Sequence, residues 1–132
     1  MKIVLDTNVY ISAAILGRVC EEIIRLCRIS KIETFISEDI INEIKDKLIE
    51  KFYWKENQVD VLIFNLLEFA IIVSISEKIE FIKNDPEDNK ILECAVSSNS
   101  NLIVSGDKHL INLKSYRDIK ILKPSEFLIL LK

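Results

Sequence analysis

The feature that most limits the fold of this chain is a set of short, unbroken apolar runs set among longer stretches with helical spacing. KIVL (2–5), TFIS (34–37), IIVSI (71–75), LIVS (102–105) and KIL (120–122) do not alternate apolar with polar residues. A strand with one wet face alternates, whereas a strand buried on both faces reads as a continuous run, the habit of parallel sheets covered by helices. Between these runs, apolar residues recur three and four apart. Residues 9–29 suit one or two helices broken near Gly17, and residues 38–52 place Ile40, Ile41, Ile44 and Leu48 on one stripe behind Ser37 as the N-cap. Residues 57–69 and 86–98 form two more, and the segment after Pro124 closes as a short helix. Strands alternating with helices predict an α/β fold of three layers, α/β/α, around a central, mostly parallel sheet of about five strands joined by right-handed crossovers. At 132 residues, 49% of them hydrophobic, the chain is the size of one domain spanning 1–132 and can fill its own core.

Composition then removes most kinds of chemistry. The two glycines cannot build a phosphate-cradling loop, and the single histidine, His109, excludes a multi-histidine metal site. Cys20, Cys27 and Cys94 are odd in number, lack a CxxC pair and lie among apolar residues, so they read as reduced core thiols. No signal peptide or membrane-length apolar stretch is present, which predicts a soluble, cytoplasmic protein. A net charge of -3 gives no overall basic footprint. Arg18, Arg25 and Arg28, and Lys45, Lys47, Lys51 and Lys55, can still form local basic faces, or ordinary solvated ones. What remains is carboxylate chemistry.

In open parallel sheets the ligand site lies beyond the carboxyl ends of the strands. Asp6 follows KIVL directly, and Asp107 follows LIVS in NLIVSGDKHL, with Gly106 allowing a tight exit. Neighbouring strands are roughly 4.8 Å apart, so two such aspartates on adjacent strands come within a few ångströms. Each also suits the bland role of a helix N-cap. In NDPEDNKILECAV, Asp85 reads as the cap and Pro86 as the first helical residue. Asp88 then shares a face with Ile91, Leu92 and Ala95 and points inward, either toward the backbone near Asp85 or into the pocket of Asp6. Glu43, in SEDIINEIKDK, flanks the apolar stripe and on its own would be a solvated side chain.

Four gathered carboxylates with no histidine repel one another and push some of the group toward holding protons. An oxygen-seeking divalent cation, Mg²⁺ or Mn²⁺, resolves the repulsion: it takes carboxylates at about 2.1 Å and leaves positions for water and phosphate oxygens. One or two such ions are what phosphodiester hydrolysis needs.

The motifs VLDTNV with Asp6, INEI with Glu43, DPEDNKILECA with Asp88 and LIVSGDKHLINL with Asp107 resemble, in order and spacing, the four-acid pattern of PIN-domain nucleases. The third and fourth motifs are most similar to the VapC-type toxin components of prokaryotic toxin–antitoxin pairs. The resemblance spans nearly the whole chain. It implies a metal-dependent ribonuclease acting on RNA, a homodimer, and a small antitoxin that shields the active-site groove. Asp6, Glu43, Asp88 and Asp107 would then be the catalytic metal ligands, with Asn8 and Ser105 hydrogen-bonding beside them. Asp85 is also available for the third position, and Asp88 is preferred because Ile91 and Leu92 follow it at three and four residues, as the motif asks. Ser105 stands where threonine is frequent in the family and keeps the hydroxyl.

Other assignments fit less well. A haloacid-dehalogenase-like phosphatase needs a second aspartate where this chain has Asn8, and a response-regulator receiver opens with paired acids that are missing here. A non-catalytic RNA-binding or protein-interaction module on the same fold is the alternative from a different class, and the intact acids argue against it.

Overall fold

The computed structural model describes residues 1–29 and 31–132. In chain order it runs β1 (Lys2–Leu5), α1 (Thr7–Ile15), α2 (Arg18–Ile29), β2 (Glu33–Ile36), α3 (Glu38–Phe52), α4 (Glu56–Leu66) and β3 (Ala70–Ile72). A 3-10 turn (Pro86–Asp88) then leads into α5 (Asn89–Ser97), β4 (Leu102–Val104), α6 (Lys108–Ile111), β5 (Ser115–Tyr116), β6 (Ile119–Leu122) and α7 (Pro124–Leu131). Among the described residues no helix is long and apolar enough to cross a membrane.

The sheet order is β3-β2-β1-β4-β6-β5, with every pairing parallel except β5 against β6. From β1 the chain steps outward through β2 to β3, returns to the far side of β1 as β4, and continues outward to β6. Right-handed crossovers place helices on opposite faces for steps in opposite directions, which yields the expected three layers. Ile3, Val4 and Leu5 of β1 and Ile103 and Val104 of β4 are fully buried, as strands covered on both faces must be. Burying such a side chain contributes roughly 1.5–3 kcal/mol, so the tips of β1 and β4 are firmly anchored mounts.

The sheet has six strands where about five were expected. The extra one, β5, has two residues and is folded back by a turn in which Arg117 takes a left-handed φ of 55°. Two residues carry no readable periodicity. The third apolar run also ends sooner than IIVSI suggests. β3 pairs Ile72 with Ile36, and one further backbone bond joins Val73 to Ile36; beyond it β2 has turned into α3 and offers no partner. The Asn89–Ser97 helix likewise begins three residues after Pro86, the intervening turn being 3-10.

Residues 73–85 therefore cross the molecule without regular structure, strapped to α5 by side chains. Ser97 Oγ accepts from Ser76 N, the buried Glu93 accepts from Ile79 N at 2.9 Å, and Asn89 pairs with both backbone groups of Ile82. Ile79 and Ile82 are buried beneath the strap.

The helix boundaries follow local chemistry. Ser37 caps α3 by accepting from Ile40 N, and Ile40, Ile41, Ile44 and Leu48 form its buried stripe. Gly17 separates α1 from α2, where a Cβ would meet the Ser12 carbonyl oxygen at 2.5 Å. Gly106 is different: a Cβ there meets nothing within 4 Å and its φ is not positive, so the exit from β4 does not depend on glycine. Cys27 and Cys94 are buried, Cys20 is half-buried, and none is in a disulfide. Burial pushes all three thiols up, Cys94 to about 12, which suits unreactive core groups.

Candidate metal centre

β1 and β4 are neighbours, and the chain leaves them in opposite directions, so the crevice beyond their carboxyl ends is the switch point of the sheet. The backbone carries the pairing up to the acids: Asp6 N donates to Val104 O, and Ser105 N donates to Leu122 O. A cleft of about 340 Å³ opens here, lined by carboxylates from four parts of the chain. Asp6 comes from the tip of β1, Glu43 from α3, Asp85 and Asp88 from the end of the strap and the 3-10 turn, and Asp107 from the exit of β4. All four acids expected from the sequence line this one cleft.

Their partners differ. Asp6 stands at the N-cap of α1 yet makes no side-chain cap bond; its Oδ2 instead accepts from Ser105 Oγ at 2.6 Å. The same Ser105 oxygen accepts from Asp107 N at 2.9 Å, so one fully buried hydroxyl ties the ends of β1 and β4 together. Asp107 does cap, its Oδ1 accepting from His109 N at 2.8 Å and from Leu110 N, which leaves its second oxygen for the cleft. Glu43 faces Lys47 at 3.5 Å, one turn along α3, and Lys47 also donates to Asn8 Oδ1 at 3.2 Å. Asn8 thus reaches the acids through Lys47, whereas Ser105 touches them directly.

Asp88 is the group least provided for. It is 8% exposed, and its Oδ2 is buried with no hydrogen-bond partner. An orphaned buried carboxylate oxygen carries a desolvation cost of a few kcal/mol unless something positive meets it. Burial is the first cause that holds its carboxyl well above the ordinary range, followed by the adjoining Asp107 carboxylate, then Asp85 and Asp6. Asp6 is pushed up to about 6, chiefly by burial; Ser105 opposes the shift, Glu43 and Asp107 add to it, and Lys47 eases it.

Asp85, read from the sequence as a helix cap and as the alternative third acid, makes no side-chain cap bond and turns to the cleft. Asp85, Asp88 and Asp107 offer carboxylate oxygens within 4.8 Å of one another. This is the tightest acidic grouping among the described residues, and Asp6 and Glu43 border it rather than belong to it. The three-residue spacing of Asp85 and Asp88 around a proline was the available signal: one tight turn brings both to the same side. Of the basic residues singled out above, Lys47 lines the cleft, while Arg25 pairs with Glu22, and Arg28 with Glu68 and the Asn65 carbonyl.

The donor set is all oxygen, crowded, and short of positive charge, which fits a hard divalent cation. The family model described as "PIN domain" matches residues 2–109. This chain belongs to the PIN domain family. An uncharacterized protein of Methanocaldococcus jannaschii, MJ1680, is 28% identical over 97% of this chain and 90% of its own length. Among solved structures, this chain is similar in fold to a chain of VapBC2 from Rickettsia felis bound to a DNA fragment from their promoter, with a TM-score of 0.68, 17% identity, and coverage of 93% of this chain and 98% of that one. The second likeness is one of fold.

Proposed function

We propose that this PIN domain is a metal-dependent ribonuclease, the toxin of a toxin–antitoxin pair, acting in the cytoplasm on RNA phosphodiester bonds with Mg²⁺ or Mn²⁺. The observation that carries this reading is the buried, unpartnered Oδ2 of Asp88 facing other carboxylates at the sheet's switch point. Asp6, Glu43, Asp88 and Asp107 are the proposed catalytic metal ligands, and Asp85 is added to them by its place in the tightest group of oxygens. A divalent ion bound there would supply Lewis acidity toward a phosphoryl oxygen and toward a water molecule.

The chain's own residues divide the remaining work. Asp107 is held by its cap bonds, so its free oxygen has a fixed direction. Ser105 fixes the rotamer of Asp6 and, by donating to Oδ2, favours the ionised carboxylate that a metal requires. Asp88, held by the 3-10 turn just ahead of the buried Ile91 and Leu92, presents an oxygen already stripped of water. The raised proton affinity of Asp6 and Asp88 means that metal uptake must release protons, so it strengthens as pH rises through about 6 and above.

Calorimetric titration of Mn²⁺ into the wild type, Asp6→Asn and Asp88→Asn tests the metal centre without a guess at substrate. Expected is binding that both substitutions weaken, together with RNA cleavage that both remove. A wild type that takes up no Mn²⁺ and cuts no RNA returns the chain to the non-catalytic module.

The VapC-type motifs and the likeness to VapBC2 support a small antitoxin partner; the homodimer rests on the family resemblance of the motifs alone. Light scattering that finds only a 15.3 kDa species at micromolar concentration overturns the dimer. Repeated purification from the native host without a small co-purifying protein counts against the antitoxin.

A further inference from the structure

Lys47 is the one cation among the described residues that line the acid cleft. A Glu–Lys pair four residues apart on a helix is ordinarily a solvated surface contact. Three observations set this one apart. The Lys47 side chain retains 28% of its exposure and that of Glu43 20%. Its ammonium reaches across to a second element, donating to Asn8 Oδ1 on α1. Its charge also bears on Asp6 at the tip of β1. The ammonium therefore sits between Asn8 and Glu43, within the field of Asp6.

We propose that Lys47 is a phosphate-binding residue, parked between Asn8 and Glu43 until a divalent ion takes Glu43, when it turns to a non-bridging oxygen of the bound RNA. The inference rests on the metal-centre reading above and adds a substrate contact to it. The physical reason is a change of partners. A divalent ion on Glu43 and Asp6 removes the negative charge that Lys47 faces and repels the ammonium. The four-carbon stem of lysine has the reach and freedom to reorient, and an RNA phosphate entering the cleft is the new anion within range. Asn8 Oδ1, a neutral acceptor, can hold the ammonium in either state. The device gives the otherwise anionic cleft a positive group for its substrate, and makes that group available only once metal is bound.

The test is affinity for a short, mixed-sequence, single-stranded RNA as a function of salt, with and without Mn²⁺, for the wild type, Lys47→Met and Lys47→Arg. Strand integrity is checked on a gel after each titration, and where Mn²⁺ lets the strand be cut the same comparison is read in Ca²⁺, another oxygen-seeking divalent ion. With Mn²⁺, Lys47→Met is expected to bind several-fold more weakly. Its log–log salt slope should be smaller by about 0.7, the loss of one single-strand phosphate contact. Lys47→Arg should restore most of both. Without Mn²⁺, wild type and Lys47→Met should bind RNA equally weakly. Identical affinity and salt slope for the wild type and Lys47→Met in Mn²⁺ overturn the proposal, as does a loss in Lys47→Met that is equal with and without the ion. Mn²⁺ titration in the absence of RNA separates the two levels of the argument. If the wild type takes up no Mn²⁺, the metal centre itself fails. If both proteins take it up and bind RNA alike, only the role of Lys47 fails. If Lys47→Met loses Mn²⁺ affinity with its RNA salt slope unchanged, Lys47 serves only to position Glu43, and the proposal is overturned.

Discussion

The exits of β1 and β4 are written in nearly the same way and built to different ends. Each is a buried strand tip, followed by an aspartate and then a helix. Asp107 uses its side chain as a helix cap and keeps one oxygen over, while Asp6 leaves the first turn of α1 without a side-chain cap and is held by Ser105 from the neighbouring strand. A cap satisfies orphaned backbone donors and stabilises the fold. A buried carboxylate that caps nothing costs stability; the Ser105 hydroxyl offsets part of that cost, and a cation or a proton can offset the rest. Strand-end acids are thus separated by what their side chains accept, a property that position alone does not reveal.

The largest expected effect that sharpens this contrast is on activity. Asp6→Asn should abolish Mn²⁺-dependent RNA cleavage while the apo protein unfolds at the same temperature as wild type or higher, because the substitution removes a buried charge and keeps the shape. Thermal unfolding and a cleavage assay on the same preparation decide it. An Asp6→Asn protein that cuts RNA as well as wild type would remove Asp6 from the machinery.

Next comes pH. Folding raises the Asp6 carboxyl from 3.8 to about 6, and raises Asp88 as well, so between these values the folded protein holds more protons than the unfolded chain. Stability of the metal-free protein should therefore fall as pH rises through this window, by on the order of 2–3 kcal/mol from Asp6 alone. Glu22 and Glu77 are shifted below 4.5 by Arg25 and Arg117, so their opposite contributions are lost only in more acidic solution. Urea unfolding at pH 5 and pH 7.5 measures the slope. Saturating Mn²⁺ should flatten or reverse it, and a flat profile without metal would mean that the acids are better solvated than their burial implies.

Smaller still is the cap. Asp107→Ala should cost about 1 kcal/mol more than Asp107→Asn, since asparagine caps nearly as well as aspartate and alanine does not. Equal stabilities would show that the α6 turn forms without its cap. The smallest effect belongs to Gly106→Ala, expected within about 0.5 kcal/mol of wild type because the added methyl group meets open space. A large loss would reveal a backbone demand at the β4 exit that Asp107 alone does not meet.

The sequence was most legible where burial is two-sided. KIVL and LIVS announce β1 and β4 because a central parallel strand leaves no polar position to interrupt the run. It was less legible at the margins: IIVSI overran β3 because apolar residues continue past the point where β2 stops offering partners, and Ser115–Tyr116 is too short to carry a pattern. In the cleft, Asp6 and Asp107 could be placed from their strands, and Asp88 from the apolar face that it shares with Ile91 and Leu92. Asp85 read both as a cap before proline and as the alternative third acid; the cap rule speaks to backbone conformation and leaves the side chain's direction free. Ser105 was expected beside the acids from the family resemblance, whereas the contact of Lys47 with Asn8 joins residues 39 positions apart, which local patterns do not encode.

The Ser105–Asp6 hydrogen bond joins residues 99 positions apart. Such a contact carries the loop-closure cost of the long segment between its ends, which slows its formation. During synthesis Asp6 is exposed long before β4 exists, and any nascent or truncated chain ending short of Asp107 contains most of the acids but no cleft to gather them. The carboxylates of this cleft are therefore brought together only once β4 takes its place beside β1, in the middle of the sheet.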